Sequence, residues 1–475
     1  MIDDLRPYPA YRAAEGGWIG QIPSHWAVRR MKYVVRETDS RSTSGKEQLL
    51  RISQYTGVTE RRRADGLDEP DTRADSLIGY KRVEPNDLVI NIMLAWNGSM
   101  GVSRYSGIAS PAYCVYRFGQ DAHPWFFHNL LRSPAYKAQI KASSTGVVES
   151  RLRLYSDDLG RIEAMLPPPV EQVAIVRFLD WANGRLERAI RAKRKVIALL
   201  NEQKQGTIHC AVTRGLDPSV PLKRSGIEWT GQIPEHWEEL PLRRVATCEN
   251  GGSYGHEPSS ILETIPVATT AQIDRDGTFD VERMPLRGFT SHEAARYACK
   301  PGDILVVKSS GSAANVISGK CGIVRDSTPR FVFSNFLARF VAQSEVIEPE
   351  YLFLLLTSYL TKERVRRMVS TTTYPNLKMN EYRGAFLPVP SLREQQRILK
   401  EILVAVEGVH TAIARLEREI DLLREYRTSL VADVVTGKLD VRGAAARLPD
   451  DAPLDSVEDA DLGDETDVAE EEVAV

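Results

Sequence analysis

Trp18-Ile19-Gly20-Gln21-Ile22-Pro23-Ser24-His25-Trp26 returns 211 positions later as Trp229-Thr230-Gly231-Gln232-Ile233-Pro234-Glu235-His236-Trp237, with seven of the nine residues identical. A motif repeated at that distance marks a tandem duplication of a large unit, so a reading with a single active site starts at a disadvantage. Working outward, the far ends of the units repeat as well. Leu166-Pro167-Pro168-Pro169 followed by Glu171-Gln172 matches Leu387-Pro388-Val389-Pro390 followed by Glu394-Gln395, and Ala211-Val212-Thr213 through Leu216-Asp217 matches Val434-Val435-Thr436 through Leu439-Asp440. Between these edges the halves hardly resemble each other. Constant edges around divergent middles point to one scaffold presenting two different binding surfaces.

The 475 residues, 42% hydrophobic and 27% charged, suffice for two to four domains with real cores. The first residues, MIDDLRPYPAY, lack an apolar stretch suited to a signal peptide, and no apolar run approaches membrane-spanning length. A cytoplasmic protein with no membrane partner is expected. Five widely spaced cysteines with no CxxC pair (Cys114, Cys210, Cys248, Cys299, Cys321) read as free thiols, against both a disulfide frame and a zinc site. The formal net charge of -2 hides an asymmetry: Pro449 to Val475 holds twelve acidic residues and no Lys or Arg, leaving 62 basic against 52 acidic residues over 1–448, or +10. A basic body suits a polyanionic partner, although an excess of that size also occurs by ordinary scatter. The acidic end is too polar to fold and is expected to stay disordered.

Each Leu-Pro-x-Pro motif opens about forty residues without further proline, as a long helix requires. In the second copy Leu399, Val406, Ile413, Ile420, Arg427 and Val434 recur at sevenfold spacing, with Ile402, Val409, Leu416, Leu423 and Leu430 three residues on. Alternating steps of three and four over five heptads specify a coiled-coil seam. A shift of 223 residues puts Val176, Leu179, Asn183, Leu186, Ile190, Lys193, Ile197, Leu200, Lys204 and Thr207 on the same seam of the first copy. The two helices are matched partners, each about 60 Å long at 1.5 Å per residue. Duplication makes them antiparallel, because each must return the chain toward the other globule. Asn183 on the seam would fix register at a cost in stability. Lys204 and Arg427, at equivalent positions, mark either fraying of the seam or a surface left open for a partner protein.

The expected fold is α+β with an internal pseudo-twofold repeat, in a monomeric chain of roughly circular body. It comprises an arm (1–16), a first globule (17–165), a first helical spacer (166–215), a second globule (216–387), a second helical spacer (388–440) and an acidic disordered tail (441–475). Within the globules, Asp87–Ile92 and Asp303–Val307 read as equivalent buried strands, and helices are expected near 123–141 and 348–369.

The duplicated GQIPxHW opening, the LPxP entry into long helices ending in AVTRGLD or VVTGKLD, and the variable blocks between them resemble the DNA specificity subunit of type I restriction-modification systems. The likeness covers nearly the whole chain apart from the acidic tail. Inside the first block NIMLAWNGSMGVSRYSGIASPAY (91–113), and inside the second GDILVVKSSGSAANVISGK (302–320) with FSNF (333–336) and STTTYPNL (370–377), resemble two unlike kinds of target recognition domain. The resemblance implies two target recognition domains, each reading half of a split double-stranded DNA site, with the helices setting the gap. It further implies two methyltransferase subunits docked on the helices and two restriction-motor subunits. S-adenosylmethionine would belong to the methyltransferase partner and ATP with Mg to the restriction partner, leaving no cofactor, metal or catalytic residue on this chain. The sequence carries no NPPY-like methyltransferase motif, phosphate loop, HExxH or GxSxG. Glu202-Gln203-Lys204 matches an acidic-x-Lys nuclease fragment but falls within the heptads.

Reading bases takes paired donors and acceptors, whereas phosphates need only positive charge or small donors. In the first globule Gln54, Tyr55, Arg61, Arg62, Arg63, Asn91, Trp96, Asn97 and Ser99 are the candidates. The Arg triplet is otherwise a solvated loop, and Trp96 otherwise core. In the second globule Lys308, Ser309, Ser310, Ser312 and Asn315 form a polar loop behind a buried strand, and Thr371, Thr372, Thr373 and Tyr374 form another. Plain turns are the alternative for both. His25 and His236 read as structural. The competing function is a coiled-coil protein-interaction scaffold without sequence-specific DNA reading, in which charge reversal at Arg61 to Arg63 or at Lys308 would change nothing. A self-sufficient nuclease or methyltransferase would need motifs the chain lacks.

Overall fold

A computed structural model describes residues 5–14, 18–61, 74, 76–148, 151–226, 231–274, 276–309, 317–359, 365, 367–370 and 375–449. The chain forms two compact units, 1–193 with 417–475 and 194–416, and both long helices pass from one unit into the other.

The first unit is built on a four-stranded antiparallel sheet in the order Val35–Thr38, Tyr113–Phe118, Leu88–Asn91, Met100–Val102. The second unit repeats that order with Ala246–Glu249, Leu337–Ala342, Ile304–Val307 and Cys321–Ile323. The strands expected at 87–92 and 303–307 occupy the same place in the two sheets, each buried on both faces. Both are entered through one turn. Asn86 (φ 72) and Gly302 (φ 88) supply the left-handed residue, and the carboxylates of Asp87 and Asp303 accept from the backbone N–H of Glu84 and Lys300, each at 2.9 Å. Each aspartate also meets an arginine of the neighbouring strand, Arg117 at 3.4 Å and Arg339 at 3.5 Å. Burial pushes both carboxyls above their usual range.

The repeated motifs at the unit edges prove to be strand partners. Ala27–Arg30, leaving the opening motif, pairs with Glu163–Leu166, which leads into the first proline run. Glu238–Pro241 pairs with Phe386–Val389 in the same way. A second hairpin joins Tyr11–Ala13 to Gln21–Pro23 and, in the second unit, Leu222–Arg224 to Gln232–Pro234. The helical stretch expected at 123–141 is two helices, Pro124–Leu131 and Pro134–Ser143, because the second proline cannot donate within a continuing helix. The stretch at 348–369 is helical as Pro349–Leu354 and continues as a π turn over Leu355–Tyr359.

The long helices are Pro169–Arg214 and Leu392–Val435. They run antiparallel in each unit: Glu187 meets Arg427 and Lys193 meets Glu419 in the first, and Lys204 meets His410 in the second. Leu179, Leu186, Ile190, Ile420, Leu430 and Val434 are buried in the first unit, and Ile208, Ala211, Ile398 and Ile402 in the second. Three seam residues depart from expectation. Thr207 is exposed and Ile208 takes its place, since a straight helix of 3.6 residues per turn drifts off a strict heptad. Lys204 is neither frayed nor open: it is 7% exposed and its Nζ donates to Asp276 Oδ1 at 3.0 Å. Arg427 is likewise engaged, by Glu187 at 3.3 Å. Asn183 buries its Oδ1 with no hydrogen-bond partner among the described residues.

The disorder expected from position 441 does not hold for 441–449. Arg442–Ala446 is helical, Val441, Ala444 and Ala445 join the core of the first unit, and Leu448 is buried, while Arg177 donates to the Leu448 carbonyl at 2.9 Å. Residues 450–475 lie outside the described residues. The five cysteines are unpaired, and no described helix is long and apolar enough to cross a membrane.

Candidate nucleic-acid interface

The repeated sequence motifs lock each globule onto its helix. In the first unit Trp26 Nε1 donates to Glu171 Oε1 at 2.9 Å, His25 Nε2 lies 2.7 Å from Oε2, and the Tyr8 hydroxyl donates to Oε1 at 2.6 Å. A carboxylate only accepts, so the His25 proton sits on Nε2. In the second unit Trp237 Nε1 donates to Glu394 Oε1 at 3.1 Å and His236 Nε2 lies 2.9 Å from Oε2. The adjacent glutamines act identically. Gln172 accepts from the His123 N–H and donates to the carbonyls of Asp121 and Pro167; Gln395 accepts from the Glu348 N–H and donates to those of Val346 and Pro390. Apart from the glutamine bonds to Pro167 and Pro390, these pairings span about 50 to 160 residues of sequence, so they tie the two repeated ends of each unit together across its divergent middle. Both histidines are structural.

With the scaffold fixed, the divergent loops remain. In the first unit the turn following Leu50–Ser53 and the loop 94–100 come together around Arg132, at the end of the Pro124–Leu131 helix. Its guanidinium donates to the carbonyls of Gln54 (3.0 Å), Tyr55 (2.7 Å), Ser53 (3.5 Å), Gly98 (3.2 Å) and Met100 (2.6 Å). Burial lowers the guanidinium to about 10, which still leaves it charged at neutral pH. The neighbouring His128 is held neutral, lowered to about 3 by burial and by Arg132 and Arg104, and its Nδ1 accepts from the Val102 N–H at 3.1 Å. Gly98 is left-handed at φ +100, and a Cβ there would lie 3.1 Å from Cε of Lys137. Lys141 Nζ sits 5.5 Å over the ring of Trp96, whose indole N–H has no partner among the described residues.

The proposed readers of this unit divide accordingly. Tyr55 is 64% exposed, and Gln54, Trp96, Asn97 and Arg61 are half-buried at the loops. Asn91 and Ser99, 5% and 3% exposed, point inward and present no edge to a ligand. Asn91 Oδ1 instead accepts from the Met93 N–H, and Asn97 Oδ1 from the Ser99 N–H, so both asparagines shape the loop. Arg62 and Arg63 lie outside the described residues.

In the second unit two loops that looked separate in sequence adjoin. Ser309 bridges to Asn376, the Leu377 N–H donates to the Lys308 carbonyl at 2.8 Å, and the Lys308 N–H donates to the Phe336 carbonyl at 2.9 Å. A third segment, Gly251-Gly252-Ser253, runs against 333–335. A Cβ on Gly252 would overlap the Phe333 carbonyl, and one on Gly251 would lie 3.2 Å from Lys308 Nζ. Lys308 and Ser309 are half-buried at this junction. Ser310, Ser312, Asn315, Thr371, Thr372, Thr373 and Tyr374 lie outside the described residues.

Sequence reading missed Arg132, Lys137 and Lys141. Arg132 could not have been found, because its partners are backbone carbonyls that carry no side-chain signature. The lysines had a faint signal in their i, i+4 spacing on one helix face. Among the described residues no cluster of three or more His, Cys, Asp or Glu could hold a metal ion. The nuclease-like fragment supplies no free cation, since Lys204 is engaged by Asp276 and His410.

No family model matches the chain. It is similar to the type I restriction enzyme MjaVIII specificity subunit of Methanocaldococcus jannaschii, at 24% identity over 76% of the chain and 83% of that subunit. It is also similar to the EcoBI specificity subunit of Escherichia coli, at 22% identity over 76% of each. A chain solved in a study of complex assembly and conformational transition of the type I R-M system shares the fold, with a TM-score of 0.60 at 17% identity, over 87% of this chain and 98% of that one.

Proposed function

We propose that this chain, a homologue of the type I restriction enzyme specificity subunits, is the sequence-reading component of a restriction-modification complex, with each unit reading one half of a bipartite DNA site. The observation that carries the reading is one strand order and one set of His/Trp–Glu and Gln locks built twice, under loops of unrelated sequence. Two copies of a scaffold with two different tips are what an asymmetric split site requires. In the first unit Tyr55, Gln54 and Asn97 face the bases and Lys137 and Lys141 the phosphates; in the second Lys308 and Ser309 do so. Affinity of the chain alone is modest and falls steeply with salt, because phosphate neutralisation supplies most of it.

The chain itself is non-catalytic. The helices set the spacing and dock two methyltransferase subunits, which bring S-adenosylmethionine, and two restriction subunits, which bring ATP and Mg. Exposed apolar residues along the helices support docking: Val196, Leu199, Leu403 and Val404 in one unit, Leu422 and Tyr426 in the other. The subunit is thereby required both for adenine methylation and for restriction. A genome-wide map of methylated adenines, with and without the intact gene, tests this. Loss of one split, asymmetric motif of fixed gap on deletion is expected; an unchanged pattern would sink the reading.

A further inference from the structure

We infer that Arg132 is the positioning residue of the first recognition unit, a single half-buried cation that fixes two base-facing loops relative to one another. The inference rests on the DNA-reading function proposed above. Its guanidinium spends its donors on five main-chain carbonyls, three from the turn at 53–55 and two from the loop at 98–100. These loops are not adjacent in sequence, and they carry the candidates Gln54 (half-buried) and Tyr55 (exposed) on one side and the half-buried Trp96 and Asn97 on the other. A planar fork with five donors can hold two loops at once, whereas an ammonium with three donors cannot reproduce that geometry.

Two further features mark this as more than packing. Among the described residues no carboxylate pairs with Arg132, so its charge is met only by carbonyl dipoles. The one titratable group against it, His128, is held neutral and adds no negative charge; the other nearby ionisable groups, Lys137 and Arg104, are cations. A half-buried cation with no carboxylate partner, met by carbonyl dipoles alone beneath these loops, is costly for a fold alone. It is useful where a polyanion completes the site. The second unit uses a different device at the equivalent place, three backbone segments stitched by main-chain bonds around Lys308, so the dependence on one arginine belongs to the first unit.

The test uses the complex of the full chain with its methyltransferase partners, and duplexes randomised separately in each half-site. For Arg132→Lys, base discrimination in the half-site read by the first unit is expected to fall by about tenfold or more. Discrimination in the other half-site stays unchanged. A lowered melting temperature with both half-sites still read as in the wild type would make Arg132 purely structural and overturn the inference. Hydrogen exchange on the wild-type complex gives a second reading that needs no variant: specific duplex should protect the amides of 53–57 and 96–100 together. Protection of only one loop would overturn the coupling. A wild-type complex that selects no split site at all would instead overturn the functional reading beneath it, a result visible before any variant is made.

Discussion

The two units share a sheet, a pair of edge hairpins and a hydrogen-bonded lock, yet they close that lock differently. In the second unit the helix end, its cap and the following turn are one continuous stretch: Gly215 (φ +75) lies against Trp237, and Leu216-Asp217-Pro218-Ser219 follows. In the first unit the same place is filled by two segments far apart in sequence, 6–11 and 437–440. Gly437 (φ +77) lies against Trp26, the Asp440 N–H donates to the Arg6 carbonyl at 2.8 Å, and Tyr11 donates to the Gly437 carbonyl at 3.1 Å. Tyr8, which corresponds to Ser219 in the 211-residue shift, then adds a third donor to Glu171. The unit assembled from two segments distant in sequence thus carries the heavier lock. A covalent connection in one copy is replaced by side-chain hydrogen bonds in the other.

The largest expected effect tests that substitution. Glu171→Ala leaves the buried Tyr8 hydroxyl and Trp26 indole without an acceptor and frees those two segments, at a cost of about 3–4 kcal/mol. Glu394→Ala removes two donors' partner in a lock where His236 is half exposed to water, and costs about 1–2 kcal/mol. Urea unfolding followed by Trp fluorescence gives both values; equal costs would show that the two segments contribute nothing through the lock.

A second contrast lies in titration. The first unit buries a histidine, His128, whose folded-state value is lowered to about 3, while an unfolded histidine titrates near 6.5. Below that upper value the unfolded chain binds a proton that the folded chain refuses. The stabilising effect of the neutral ring is therefore complete above about pH 6.5 and is lost as pH falls toward 3. Between pH 7 and 5 the loss amounts to about 2 kcal/mol. Histidine 128 replaced by glutamine (His128→Gln) should flatten the pH dependence of stability by that amount. A wild-type and variant difference independent of pH across this window would refute the assignment.

The motifs that build the locks were legible in the sequence because they use rare residue types at repeated spacing, Trp, His, Pro and the Glu-Gln pair, but that the Trp and His donate to that glutamate was not, since the partners lie about 145 to 160 positions apart. The seam was legible for the same reason, periodicity of apolar side chains, down to Ile420, Leu430 and Val434. What failed at Thr207 was arithmetic drift between 3.5 and 3.6 residues per turn, which only the packed helix settles. The loops were legible in composition and illegible in geometry. Nothing distinguishes Asn97, at the loop surface, from Asn91, folded inward on the Met93 amide, except which carbonyls and amides surround them. Ser309 and Asn376 lie 67 positions apart in the chain, and no pattern announces that they touch. Lys204 looked like a break in the seam, and only the position of Asp276 from the globule makes it a tie.

The smallest expected effect concerns a turn the two units solve with different residues. Asn86 and Gly302 both enter the central strand at positive φ, and both are followed by an aspartate that caps the turn. Asparagine tolerates that conformation through its short polar side chain, and glycine meets no Cβ penalty there. Of the exchanges, Asn86→Gly should change stability by less than about 0.5–1 kcal/mol, and Gly302→Asn should cost about 1 kcal/mol, since its Cβ meets Pro349 even though Asn tolerates the conformation. Alanine has neither remedy, so Asn86→Ala and Gly302→Ala should each cost about 1 kcal/mol or slightly more. The glycine variant should be the worse of the two, because a Cβ at 302 would also press on Pro349 at 3.3 Å. Paired denaturation curves for the four variants decide it. If alanine is neutral at both sites, the turn is not what holds the equivalent strands in register, and the likeness between the two sheets rests on their buried side chains alone.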